Sequence, residues 1–245
     1  WTDWPNLVKS SSFPAFREKI IARRILGLTR RGKNILFRLD NNKTLLVHLK
    51  MSGRFLIDKK DRYTHFIFGL GKDRYLAFSD MRKFARFTLF TNKDLDNSSE
   101  LKNLGPDPLQ ADFAAFRQAF LNKKGRIKPL LLNQGMVSGI GNIYADEILW
   151  ASGIHPERSA DSISESEWRK IYKASRDILK KAIRLRGTSI QTYLLPSGKK
   201  GGYQNVRRVY HRKGEPCFRC GTAIQRIKVS QRSTYFCPKC QVTSN

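Results

Sequence analysis

The chain has 245 residues, 40% of them hydrophobic, which is enough to bury a substantial core. Lys and Arg number 47 against 20 Asp and Glu, a formal net charge of +27. Self-repulsion on that scale needs an anionic partner, and nucleic acid fits it best. No run of about 18 apolar residues is present to span a bilayer, so no membrane partner is expected.

The basic residues are spread through foldable sequence rather than gathered in a tail, so they belong to a folded surface. Residues 1–23 carry a weak pattern, with a short helix expected over Phe13 to Ile21. From Arg24 to Phe90 the pattern is β. Asn34 to Leu39 and Thr44 to Leu49 flank the turn Asp40-Asn-Asn-Lys43, which reads as a hairpin. Apolar segments at His65 to Leu70, Tyr75 to Phe78 and Phe87 to Phe90 follow, separated by Gly, Asp and Lys. This spacing predicts an antiparallel sandwich or barrel.

Gly105-Pro-Asp-Pro108 reads as a domain linker. Asp112 then caps a helix with Phe113, Phe116 and Phe120 on one face. Gly139 and Gly141 permit a tight turn that feeds a helix beginning near Asn142. The free backbone N–H groups of such a helix start make a phosphate site, although glycines there also suit a plain packing turn. Ser164 and Glu167 form a capping box ahead of a long amphipathic helix carrying Trp168, Ile171, Tyr172, Ile178, Leu179 and Ile183, with Gly187 as its stop. A Gly-rich stretch over Ser197 to Gly202 leads to the C-terminal region, and no internal repeat is found.

That region holds all four cysteines, as Cys217-Phe-Arg-Cys220 and Cys237-Pro-Lys-Cys240. Two such knuckles predict a tetrahedral site for one Zn2+. Four thiolates leave no open coordination position, so the metal is structural and holds a hairpin too small to fold alone. Two disulfides are the alternative, disfavoured by the pairing pattern and the basic surroundings. The expected fold class is α+β: an N-terminal antiparallel β-sandwich over residues 1–104, a helical domain over 109–205 and a zinc ribbon over 206–245.

The run Gly139-Ile-Gly-Asn-Ile-Tyr-Ala-Asp-Glu147 closely resembles the helix–two-turn–helix of the formamidopyrimidine-DNA glycosylase and endonuclease VIII family. The zinc ribbon, preceded by Tyr210-His-Arg-Lys-Gly-Glu-Pro216, and the order of a β domain before a helical one are similar to that family too. The resemblance covers nearly all of the chain. It implies a bacterial-type, cytoplasmic, monomeric DNA glycosylase and AP lyase acting on double-stranded DNA with an oxidised purine or an abasic site.

Carried over position by position, the resemblance assigns Lys33 to the phosphates beside the target nucleotide, as an assistant to elimination. Met51, Arg82 and Phe84 fill the hole left by the everted nucleotide. Those residue types suit the task, since an apolar wedge separates stacked bases and an arginine can hydrogen-bond the widowed cytosine. His65, Lys124 and Asn142 are assigned to backbone phosphates, Arg232 to the phosphates flanking the lesion and the second elimination step, and Lys128 and Tyr203 to the lesion pocket. The trio looks like the 8-oxoguanine branch rather than the branch that prefers oxidised pyrimidines. Thr192 to Tyr203 corresponds to the loop that closes over an everted 8-oxoguanine, although Gly187-Thr-Ser-Ile190 replaces the usual paired threonines.

A larger departure lies at the start. The family's nucleophile is an N-terminal proline followed by glutamate, whereas this chain opens Trp1-Thr-Asp-Trp-Pro5. The expectation is a fragment lacking the first helix, inactive as written. The competing reading is a DNA-binding relative without catalysis, and a basic zinc-ribbon RNA-binding or ribosomal protein is a third.

Overall fold

The structure is a computed structural model describing residues 1–190 and 192–243. The chain folds as two compact units: Trp1–Lys102 with Arg186–Gln204, and Asn103–Leu185 with the chain from Asn205 onward.

In the first unit, helix α1 (Phe13–Ile20) precedes seven strands: β1 (Ile25–Arg31), β2 (Asn34–Leu39), β3 (Lys43–His48), β4 (Arg54–Ile57), β5 (Thr64–Gly71), β6 (Arg74–Ser79) and β7 (Arg86–Thr91). Two short helices, α2 (Asn92–Leu95) and α3 (Ser99–Lys102), follow. The strands form a four-stranded sheet in the order β1-β2-β3-β7 and a three-stranded sheet in the order β4-β6-β5. All pairings are antiparallel, and the expected hairpin sets Asn34 opposite His48 and Arg38 opposite Thr44. Phe37, Val47, Phe55, Phe66, Phe78 and Phe87 fill the space between the sheets with α1's Phe16. Such aromatic packing stabilises beyond area burial alone. The sandwich is the expected one. Sequence pattern missed β4, α2 and α3.

Residues 186–204, expected with the helical domain, belong instead to the sandwich unit. The reason is a set of polar anchors from β4 and the residues after it. Arg54 Nη1 donates to Thr192 O at 2.7 Å, Ile57 N to Pro196 O at 2.9 Å, and Lys59 Nζ to Ser197 O at 3.1 Å. Gly201 is required where this segment folds back, because a Cβ there would meet Gly187 O at 2.4 Å.

The second unit contains α4 (Phe113–Gln118), α5 (Ile127–Leu132), α6 (Asn142–Ser152), α7 (Glu165–Arg184) and a hairpin of β8 (Gln225–Val229) and β9 (Arg232–Phe236). Asp112 accepts from Ala115 N at 2.8 Å, capping α4 as expected. Ser164 and Glu167 form the reciprocal capping box of α7. Phe116, Phe120, Ile148, Trp168 and Ile171 lie at the centre of the helical core. Among the described residues, no helix is long and apolar enough to cross a membrane.

Candidate nucleic-acid interface

Two groups of expected site residues take shape, one in each unit. In the sandwich unit, the segments after β3 and β6 present the expected trio. Met51 is 61% exposed and Phe84 51% exposed, an unusual position for two large apolar side chains. Arg82 joins them: its guanidinium carbon lies 4.7 Å from the Phe84 ring centroid, and Nη1 is 2.9 Å from Met51 Sδ.

Asp80, wholly buried, builds the loop that carries them. Its carboxylate accepts from Ser52 Oγ and from the backbone N–H groups of Arg82, Phe84 and Ala85. Four donors on one buried carboxylate fix both ends of the wedge, because Ser52 adjoins Met51. The resemblance assigned no role to Asp80. Its signal was an acid beside a cation-rich, apolar loop.

Lys33 is exposed in the two-residue turn between β1 and β2, where Gly32 takes a φ of 58°. His48 lies between this lysine and the wedge. Burial, then the charges of Lys50 and Lys33, pulls its pKa down to about 4. The neutral ring accepts Lys50 N–H on Nδ1 at 2.9 Å, bracing the turn before Met51. His65 is nearly buried and turns Nδ1 toward Asp3 Oδ1 at 2.9 Å, with Trp4 edge-on to its ring. Nε2 is the ring nitrogen not turned to Asp3.

In the second unit, Gly139 adopts a φ of 92° and Gly141 precedes α6 without any side-chain cap. A helix start without a side-chain cap carries partial positive charge, which suits an anion. Lys124 is exposed in a turn framed by Asn122 (φ 57°) and Gly125 (φ 108°).

α6 is also where the metal-binding hairpin docks. Asn142, Asp146 and Trp150 recur every four residues, on one face of the helix. Asn142 Nδ2 donates to Ser233 O at 3.0 Å, Asp146 Oδ2 accepts from Tyr235 N at 2.9 Å, and Trp150 Nε1 donates to Cys217 Sγ at 3.4 Å. Beside them Glu147, 1% exposed, accepts the backbone N–H groups of Arg208, Val209 and Tyr210. Arg219, between the first two cysteines, donates to the helix's terminal carbonyls of Trp150 and Ala151, at 2.7 Å each.

The four cysteine sulfurs lie within 4.8 Å of one another, with Cys217–Cys240 at 3.9 Å and Cys220–Cys237 at 3.4 Å. Tetrahedral zinc thiolates stand ~3.8 Å apart, given bonds of ~2.3 Å. The cysteines are free thiols, and the donor set fits one structural Zn2+ with no position open to substrate. The site anchors the β8–β9 hairpin. At its tip Ser230 and Gln231 take positive φ, and exposed Arg232 follows directly.

Lys128 departs from the expected lesion pocket. Its side chain is 0% exposed, with Nζ 2.6 Å from Asp146 Oδ1. The same ammonium donates to Ser233 O and Thr234 Oγ1. Burial lowers its pKa, and burial raises that of Asp146 to about 7. A lysine so enclosed holds the hairpin rather than a ligand. Tyr203, also expected in the pocket, is 2% exposed within the sandwich unit, its backbone N–H bonded to Gly187 O at 3.0 Å.

Three family models match the chain. The formamidopyrimidine-DNA glycosylase N-terminal domain covers residues 2–87, the H2TH domain of that glycosylase residues 104–194, and the zinc finger found in FPG and IleRS residues 214–242. The formamidopyrimidine-DNA glycosylase of Herpetosiphon aurantiacus is 43% identical over 97% of this chain and 89% of its own length. That of Pelotomaculum thermopropionicum is 42% identical, over 97% and 88%. Among solved structures, Lactococcus lactis Fpg in complex with abasic-site DNA superposes with a TM-score of 0.92 at 35% identity, covering 98% of this chain and 90% of its own. The same protein with a Fapy-dG-containing DNA gives 0.90 at 34%, over 98% and 90%.

Proposed function

The chain belongs to the formamidopyrimidine-DNA glycosylase family, and from that membership we propose that it serves base excision repair, as a glycosylase and AP lyase for oxidised purines in duplex DNA. One observation carries the reading: two exposed apolar side chains, Met51 and Phe84, bracket a guanidinium on a loop braced by buried Asp80. A soluble fold gains nothing from such exposure, whereas a wedge into stacked bases needs it.

On this reading Met51 enters the gap left by the everted nucleotide, Phe84 stacks beside it, and Arg82 hydrogen-bonds the widowed cytosine. Lys33, His65 and Lys124 meet backbone phosphates, as do Arg232 and the N–H groups at the start of α6. Asn142 holds Ser233 O with its amide, so its contribution at that helix start is through the backbone. The protein acts as a monomer in the bacterial cytoplasm, where duplex DNA is its partner.

Excision in this family implies attack of an N-terminal proline amine on the sugar C1′, which expels the damaged base and opens the sugar ring to a Schiff base, followed by β- and δ-elimination of the 3′ and 5′ phosphates. Pro5 opens a 3-10 turn, and its nitrogen is an amide without a nucleophilic lone pair. On this reading the residues from Trp1 onward bind and open the duplex, and Pro5 is not the attacking amine. Borohydride trapping with 8-oxoguanine:cytosine duplex tests this division. The 245-residue chain should give no adduct, and the same chain extended by Pro-Glu-Leu-Pro-Glu and a helical linker should give one. Trapping by the unextended chain would assign the attack to another amine, with Lys33 the first to replace.

A further inference from the structure

We propose that the hollow beside the wedge loop is a second phosphate site, which holds the backbone of the strand opposite the lesion. This rests on the reading of Arg82 and Phe84 given above. The hollow has a volume of about 320 Å³ and is lined by Lys9, Lys50, Lys83, Phe84, Ala85 and Arg86. Four basic residues line one small space, with Lys83 Nζ 6.0 Å from the Trp4 ring centroid, and none of the four has a carboxylate within ion-pair distance among the described residues. Elsewhere this chain does pair its cations, as at Arg54–Asp61, Arg74–Asp58 and Arg158–Glu167.

The backbone under these side chains is fixed rather than loose. Lys9 N donates to Phe87 O at 2.8 Å, Lys50 N to His48 Nδ1 at 2.9 Å, and Arg86 is paired with His48 across β3 and β7. Lys50 and Lys83 hold φ angles of 53° and 52°. Left-handed backbone costs a lysine energy, and here it turns both side chains to the same hollow. Unpaired cations held this close repel one another, so the arrangement is stabilised by a polyanion.

Position in the chain identifies the polyanion. Lys50 directly precedes Met51, and Lys83 lies between Arg82 and Phe84. A ligand in the hollow is thus within a nucleotide or two of the wedge. Phe84 lines the hollow itself, and it carries Arg82, the group that faces the widowed base. That base belongs to the undamaged strand, so its flanking phosphates are the nearest anions.

The test uses the zinc-loaded chain and an 8-oxoguanine:cytosine duplex with neutral methylphosphonates at the phosphates flanking the cytosine. Binding by the wild-type chain should weaken, and its salt slope should fall by about 0.9 for each contact removed. Lys9→Gln combined with Lys83→Gln should lower the slope by about two on unmodified duplex and weaken the response to the methylphosphonates, with Lys50 and Arg86 left in place. A wild-type chain indifferent to these substitutions would overturn the proposal. So would a coupling that appears only when the damaged strand is substituted. The wild-type arm needs no variant to fold. Preference for damaged over undamaged duplex reports separately on the wedge: lost preference with intact coupling would count against the wedge alone.

Discussion

Lys128 and Asp146 stand 2.6 Å apart with neither side chain exposed, and each reaches on to β9. The pair joins α5, α6 and the hairpin strand that begins with Arg232. Removing one member leaves a buried charge unpaired, which costs about 3–5 kcal/mol. Lys128→Met should therefore lower the unfolding midpoint strongly. Replacing both, as Lys128→Met with Asp146→Leu, should recover much of that loss, although Tyr235 N–H then lacks its acceptor. Thermal unfolding of the single and double variants at constant zinc measures the difference.

The zinc site supports the same strand from the other side. Cys237→Ser should reduce bound zinc from about one per chain, loosen Arg232 and weaken duplex binding, because folding of so small a hairpin is coupled to metal. Metal analysis together with binding assays checks this. A metal-free chain with full affinity for DNA would contradict it.

Arg82 and Lys124 should separate discrimination from affinity. Arg82→Ala removes the guanidinium between Met51 and Phe84 and should reduce preference for a lesion opposite cytosine, leaving most phosphate affinity in place. Lys124→Ala should weaken binding to all duplexes and lower the salt slope by about one. Titrations on damaged and undamaged duplex at several salt concentrations distinguish the two patterns.

His48 carries the pH prediction. Its pKa falls from 6.5 in the unfolded chain to about 4, chiefly through burial and then through Lys50 and Lys33. A depressed pKa contributes stability that is fully present above 6.5 and lost as pH falls through 4. His48→Asn keeps an acceptor for Lys50 N–H without a titrating ring. Relative to this variant, the wild-type chain should lose about 1–2 kcal/mol between those limits, allowing for screening at a partly exposed site. Bound phosphates should raise the His48 pKa, which NMR titration with and without duplex would show.

Much of this was legible in the sequence because the controlling physics is local. Cysteine spacing defines the metal site, period-two alternation gives β2 and β3, and Ser164 with Glu167 starts α7. The misses arise where tertiary contacts decide. Arg54-Phe-Leu-Ile57 is too short for alternation to stand out, and its sheet partner fixes it as β4. Residues 186–204 join the sandwich unit through bonds from two side chains and one backbone N–H to backbone carbonyls, which leave no sequence pattern. Lys128 resembles any lysine of a basic chain until Asp146 is placed against it. The available clue was two adjacent acids, Asp146 and Glu147, within the otherwise apolar run from Ala145 to Trp150.

On the proposed reading, this chain recognises damaged duplex through the Met51, Arg82 and Phe84 wedge. Competition binding of the zinc-loaded chain tests it most directly, with 8-oxoguanine:cytosine duplex set against the same duplex bearing guanine, near 0.15 M salt. The lesion duplex should win by about tenfold or more, with Arg82→Ala erasing most of the margin. Equal affinity for the two duplexes, unchanged by Arg82→Ala, would contradict it.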